Sequence, residues 1–215
     1  MKVLYVCTAN ICRSPSAAAI LRDACLPDVQ VTSAGTVASD GSPGCAMATA
    51  LQGRSDQHRS QRLTAGHLAW ADLVLTAARE HQPAVVSLDP RARSRTFTIR
   101  QAGRLAQWLL DAGMVEAARS PGDFEQGDPR AFVSPLQGDV TRWLVDELDA
   151  ARGMAPASAP PDPPKRRLGR RQEQVPHPDD VPDPHVMGFE WHEPAGAQIA
   201  ESTAQLVALI RAVQA

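Results

Sequence analysis

Lys2-Val3-Leu4-Tyr5-Val6-Cys7-Thr8-Ala9-Asn10-Ile11-Cys12-Arg13-Ser14-Pro15 is the stretch whose reading decides the fold of this chain. Lys2 to Val6 is a short apolar run rich in β-formers and reads as a buried strand. Ser14 and Pro15 then open an Ala-rich helix to about Cys25, with Ser14 as N-cap and Pro15 in the first turn. Cys7 and Arg13 therefore sit in a loop that joins a strand to a helix start, with five residues between them. A helix N-terminus offers orphan N–H groups and the positive end of a dipole, which together favour an anion. Arg13 adds a fork suited to two phosphoryl oxygens. The same positive field favours a thiolate at the base of the loop, the form in which Cys7 attacks phosphorus. Ser14 is placed to hydrogen-bond that sulfur.

Outward from this loop, Val29 to Ser33 reads as a second strand that turns at Ala34-Gly35-Thr36. Helices are expected around Ala46 to Leu51 and Leu63 to Trp70, a third strand at Ala71 to Thr76, and a fourth at Arg95 to Ile99 leading into a helix through Leu110. Strands alternating with helices imply an α/β fold with a parallel sheet covered on both faces. Ligands of such sheets bind outside the carboxyl ends of the strands, where the Cys7 loop emerges. Asp111 to Arg130 is expected to be a loop, followed by a helix from Phe132 to Ala151. Ile199, Leu206, Leu209, Ile210 and Val213 mark the apolar face of a last helix, Ala195 to Val213.

Met154 to Pro182 has a different character. Prolines surround the basic cluster Lys165, Arg166, Arg167, Arg170 and Arg171, without periodicity. This reads as a mobile Pro/Arg-rich insertion, residues 154–182, within a single domain of residues 1–215. The five basic side chains have two readings, an arm that attracts acidic stretches beside a phosphorylated residue and a solvated spacer with no role.

Bulk composition narrows the function. Of the 215 residues 43% are hydrophobic, enough for a core, and a formal net charge of −2 gives no reason to expect nucleic acid or a membrane as partner. The first apolar run is too short for a signal peptide, so a cytoplasmic location is expected. Cys7, Cys12, Cys25 and Cys45 crowd the first quarter, a poor layout for a secreted disulfide framework.

Val6-Cys7-Thr8-Ala9-Asn10-Ile11-Cys12-Arg13-Ser14-Pro15 resembles the signature of the low-molecular-weight protein tyrosine phosphatases. The likeness continues in Ser33-Ala34-Gly35-Thr36, His58-Arg59-Ser60-Gln61-Arg62-Leu63-Thr64, Ala71-Asp72-Leu73-Val74-Leu75-Thr76 and Asp183-Pro184. It implies a three-layer α/β fold with a four-stranded parallel sheet flanked by helices and the phosphate loop after the first strand. The activity it implies is hydrolysis of phosphotyrosine in protein, or of a small aryl phosphate, through a cysteinyl-phosphate, with no cofactor and no metal. Carried over residue by residue, Cys7 is the nucleophile and Arg13 the phosphate clamp. Thr8, Ala9, Asn10, Ile11, Cys12 and Ser14 form the cradle, braced by Ser33 and His58. Cys12 matches a second loop cysteine that in some relatives forms a reversible disulfide with the nucleophile, a redox-sensor geometry. Cys25 and Cys45 have no assigned part.

A leaving oxygen needs a proton, and four Asp-Pro pairs compete to supply it: Asp89, Asp128, Asp162 and Asp183. The resemblance selects Asp183, shortly before the last helix, with Asp180 in reserve. Departures fall in the pocket wall. His185, Val186 and Met187 stand where aromatic residues often follow Asp-Pro, Val37 to Gly41 lack the usual aromatic, and Ala18 replaces an acidic residue. Phe189 or Trp191 would have to supply the missing ring. An arsenate reductase of the same fold is the alternative, although no cysteine follows Cys45. A phosphate-reading binding module is a third reading, against which stand an intact nucleophile and acid.

Overall fold

The computed structural model describes residues 1–51, 57–119, 136, 138–158 and 176–215. Strand β1 (Lys2–Cys7) leads through the Cys7–Arg13 loop into helix α1 (Arg13–Asp23), then β2 (Gln30–Gly35). Helices α2 (Ala46–Leu51) and α3 (Ala65–Trp70) precede β3 (Leu73–Thr76), and α4 (Gln82–Leu88) separates it from β4 (Thr96–Thr98). Beyond lie α5 (Ile99–Asp111), α6 (Met114–Arg119), α7 (Val140–Met154), a single turn α8 (Pro184–Met187) and the last helix α9 (His192–Gln214).

The four strands form one parallel sheet in the order β2-β1-β3-β4. Side chains alternate across it. Val3, Tyr5 and Cys7 of β1 join the core beneath α1, α5, α7 and α9, whereas Leu4 and Val6 join the core on the side of α3 and α4. Both faces are covered, which is why the central strands β1 and β3 read as apolar runs rather than as alternating ones. The helices α5 and α9 pack so closely that a Cβ on Gly103 would lie 2.7 Å from backbone atoms of Ser202. Leu105, Leu109, Leu206 and Leu209 are fully or almost fully buried there, and each such leucine contributes roughly 1.5–3 kcal/mol.

Several sequence expectations shift. The first helix starts at Arg13, with Cys12 at the cap position and no side-chain cap bond. Ser14 is not its N-cap, because its hydroxyl is turned into the phosphate loop. The region expected as a loop after Asp111 holds α6. The helix expected from Phe132 runs from Val140, where Asp139 accepts a bond from Arg142 N–H; Phe132 itself lies outside the described residues. Helix α4 was not foreseen. Thr64 caps α3, which therefore begins two residues later than Leu63.

The largest correction concerns residues 154–182. Met154 closes α7, and Asp179 and Val181 are buried and tied to the strand ends, so the expectation of a mobile segment does not hold at these positions. Val181 N–H donates to Ala77 O at 2.8 Å, and Thr98 Oγ1 donates to Asp179 O at 2.5 Å. Asp179 also accepts from Ser158 Oγ at 2.6 Å and pairs with Arg104 at 3.4 Å. Proline-rich sequence forbids helix and sheet, yet single backbone and carboxylate bonds still fix it. The basic cluster Lys165 to Arg171 lies outside the described residues.

Candidate active site

The loop at the carboxyl end of β1 is shaped by Asn10. Its backbone takes a positive φ of 55°, a conformation that asparagine tolerates better than most residues. Its side chain donates from Nδ2 to Ser33 Oγ at 2.9 Å and to Ser14 Oγ at 3.0 Å, and accepts Gln61 N–H at 2.9 Å. His58 Nε2 donates to the Asn10 carbonyl at 2.7 Å. Ser33 and His58 are thus both hydrogen-bonded to Asn10. Gly35 is required beside them, since a Cβ there would lie 2.7 Å from Thr8 O and 2.8 Å from Asn10 N.

Cys7 is buried at the base of the loop, with Sγ 3.0 Å from Ser14 Oγ and 3.3 Å from Asn10 N–H, which donates to it. Ser14 Oγ accepts from Asn10, so its own proton is left to point at the sulfur or at Ala34 O, 3.4 Å away. Two donors aimed at one sulfur are the local means of holding a thiolate.

Arg13 is 3% exposed. It donates to Val181 O at 3.3 Å, to Thr8 Oγ1 at 3.1 Å and to the Asp183 carboxylate. Asp183 in turn accepts His185 N–H at 3.0 Å and caps α8. Asp180 accepts Arg79 N–H at 2.8 Å and its guanidinium at 3.3 Å, so it belongs to Arg79. Asp89 caps the turn at Pro90–Arg95 and pairs with Arg95. Asp128 and Asp162 lie outside the described residues. Of the described Asp-Pro pairs, Asp183 alone meets the Cys7 loop.

His81 was missed in the sequence. It is buried, with Nε2 2.9 Å from Thr8 Oγ1 and Nδ1 3.0 Å from Ala78 O. Burial, and next the charge of Arg13, push its pKa down, while Glu80 and Asp183 oppose. The available signal was position: it follows β3 on the same end of the sheet as Cys7. Cys12 is also buried, and burial together with Cys45 pushes its thiol well up. Its sulfur lies within 4.8 Å of that of Cys45, a residue with no part in the sequence reading. At the rim, Val186 and Phe189 are 80% and 68% exposed.

A parallel α/β sheet with a cysteine and an arginine in one strand-to-helix loop, faced by an aspartate, defines a cysteine-dependent phosphate-loop protein. A profile of the low molecular weight phosphotyrosine protein phosphatases matches residues 2–107. A protein-arginine-phosphatase of Geobacillus stearothermophilus is 41% identical over 103 residues, 46% of this chain and 70% of the relative. A probable low molecular weight protein-tyrosine-phosphatase, AmsI of Erwinia amylovora, is 33% identical over 147 residues, 66% of this chain and 94% of the relative. Among solved structures, YfkJ from Bacillus subtilis shares the fold at a TM-score of 0.54 and 18% identity, covering 98% of this chain and 94% of that one. The chain belongs to the low molecular weight phosphotyrosine protein phosphatase family, and it is a phosphatase. No helix among the described residues is long and apolar enough to cross a membrane.

Proposed function

We propose that this phosphatase hydrolyses phosphotyrosine in protein through a phosphocysteine at Cys7. The observation that carries the reading is Cys7 Sγ under two donors, Ser14 Oγ and Asn10 N–H, in a loop whose Arg13 reaches Asp183. A phosphoryl dianion competes with the Asp183 carboxylate for Arg13, so substrate entry releases Asp183, which takes up a proton from solvent and swings over the leaving oxygen. Cys7 attacks in line. The S–P bond forms, the P–O bond to the tyrosyl group breaks, and that oxygen takes the proton of Asp183. Water then attacks phosphorus and gives its proton to Asp183, while Ser14 stabilises the departing thiolate. Asn10, Ser33, His58 and Gly35 keep the loop curled throughout, which is electrostatic preorganisation.

The reading carries two companions. One is a cytoplasmic, reducing setting, supported by four cysteines that are all free thiols. The other is reversible oxidation of Cys7, with Cys12 as the resolving thiol in the same loop. A second substrate, phosphoarginine, is favoured by the names of two relatives and by the exposed His185 and Val186 where an aromatic wall would stand.

The test compares kcat/KM for a phosphotyrosine peptide and a phosphoarginine peptide of the same sequence, beside an arsenate-reduction assay. The tyrosine reading expects the first to dominate and Cys7→Ser to abolish it. A reversed ratio overturns that substrate, and arsenate reduction without ester hydrolysis overturns the activity.

A further inference from the structure

Four side chains that take no part in the proposed hydrolytic steps converge behind the phosphate loop. Cys12 closes that loop, Cys45 precedes α2, His185 lies in α8, and His192 starts α9. Their ligating atoms all lie within 4.8 Å of one another. Cys45 Sγ is 3.4 Å from His192 Nε2. In a tetrahedral zinc site with Zn–S about 2.3 Å and Zn–N about 2.0–2.1 Å, the sulfur-to-nitrogen edge is about 3.6 Å. One edge of that tetrahedron is thus already formed. The His185 and His192 rings meet edge-on with centroids 5.3 Å apart.

The second requirement of a built site is orientation of the imidazole. His192 Nδ1 donates to Phe189 O at 2.9 Å, which leaves the Nε2 lone pair directed toward Cys45. That backbone bond is the outer-shell support that metal-bound histidines carry. Cys12 and His192 are each 8% exposed, while Cys45 is half-buried and His185 exposed. A cavity of about 320 Å³ lined by Cys12, Arg13, Ser16 and His192 adjoins the cluster and gives a route in.

We propose that Cys12, Cys45, His185 and His192 form a tetrahedral zinc site. Two soft sulfurs and two imidazoles select Zn²⁺ over the oxygen-seeking Mg²⁺ and Ca²⁺. Binding breaks two S–H bonds as two S–Zn bonds form, and the two protons pass to solvent. Both histidines contribute lone pairs. The metal ties the back of the phosphate loop, through Cys12, to the turn that begins at Asp183, through His185. It therefore holds the acid segment against the loop, and it occupies Cys12 so that this thiol no longer resolves an oxidised Cys7. The expectation from the resemblance, a protein with no metal, changes accordingly.

The experiment uses the full reduced chain in a Cys7→Ser, Cys25→Ser background, so that Cys12 and Cys45 are the remaining thiols. Zn²⁺ is added, excess removed by desalting, and metal per chain measured by mass spectrometry; Co²⁺ serves as the spectroscopic probe. One metal per chain, with thiolate-to-cobalt charge transfer and the intense visible bands of tetrahedral cobalt, is the expected result. Cys45→Ser and, separately, the exposed His185→Ala should each weaken affinity by more than the about 10- to 100-fold that loss of an outer-shell partner costs. Circular dichroism shows whether each variant is folded, and His185→Ala alone decides if Cys45→Ser is not. Unchanged affinity in a folded variant, octahedral cobalt, or no retained metal overturns the site. Metal binding is read without turnover in this Cys7→Ser background, so failure of the wild-type chain to hydrolyse phosphate would sink the proposed substrate chemistry and leave this site standing.

Discussion

Arg13 and Arg152 are both drawn into the protein, and their surroundings hold them in opposite ways. Arg152, in α7, lies with its guanidinium 3.8 Å from the centre of the Phe97 ring. It donates to the carbonyls of Thr96 at 2.7 Å, Ser94 at 3.3 Å and Arg93 at 3.4 Å, and Asp149 lies 3.0 Å from its Nε. Its hydrogen-bond partners are backbone oxygens of the edge strand β4 and the turn before it, which cannot move without unravelling that edge. Arg13 has one backbone partner, Val181 O, and two side-chain partners, Thr8 and Asp183. Side chains rotate, so a ligand of the right charge can take their places. A fixed arginine closes a fold; an exchangeable one receives a substrate.

The sharpest break of this comparison is Arg13→Lys. One ammonium cannot reproduce the fork, so kcat/KM for p-nitrophenyl phosphate should fall by roughly 10²–10³-fold or more. Thermal unfolding should move little, because the partners lost are able to reorient. A variant that kept most of its activity would show that the fork is not what binds the phosphoryl group.

Asp183→Asn tests the exchangeable partner itself. The amide keeps the size and the α8 cap but cannot give up a proton. Turnover should fall by roughly 10²-fold for alkyl phosphates with poor leaving groups and far less for p-nitrophenyl phosphate. Equal losses on both would remove Asp183 as the acid.

Arg152→Leu should show the inverse signature. Three carbonyls lose a donor and Phe97 loses its cation, which costs about 2 kcal/mol in urea unfolding. Arg152 touches no residue of the Cys7 loop, so kcat/KM should stay within about twofold of the parent. A large loss of activity at unchanged stability would erase the contrast between the two arginines.

The same contrast explains what the sequence made legible. Cys7, Asn10, Arg13 and Ser14 are close along the chain, and a strand-to-helix loop brings them together by local geometry alone. Asp183 was selected among four Asp-Pro pairs only through the resemblance, because its contact with Arg13 spans 170 positions and leaves no local pattern. His81, the Val181 carbonyl and Cys45 carried no local pattern, because their roles arise from register. Ala77 follows β3, and its carbonyl captures Val181, which sets the whole Asp179 to Asp183 segment over the sheet. Composition misjudged that segment for the same reason: proline content reports what a backbone cannot form, and says nothing of the bonds that strand ends offer it.

The smallest expected effect, and the finest probe of Arg13's surroundings, is the pH response of His81. A neutral ring serves Thr8 and Ala78 in either tautomer, whereas a protonated one would set a second positive charge beside Arg13. Burial and that charge lower its folded-state pKa below the ordinary 6.5, against the pull of Glu80 and Asp183. Below about pH 6.5 the unfolded chain therefore binds a proton that the folded chain resists, so stability falls as pH drops. The loss begins near the unfolded value and continues down to the lowered folded one, with a slope of at most about 1.4 kcal/mol per pH unit. His81→Gln keeps an amide toward Thr8 and carries no titrating charge. Urea unfolding of parent and variant should give the same pH slope above about pH 7 and diverge below about 6.5, with the parent steeper. Other histidines titrate equally in both chains, so the difference isolates this one. Identical slopes throughout would mean that His81 takes its proton as readily folded as unfolded, and that the charge of Arg13 is already cancelled by Asp183 before it reaches the ring.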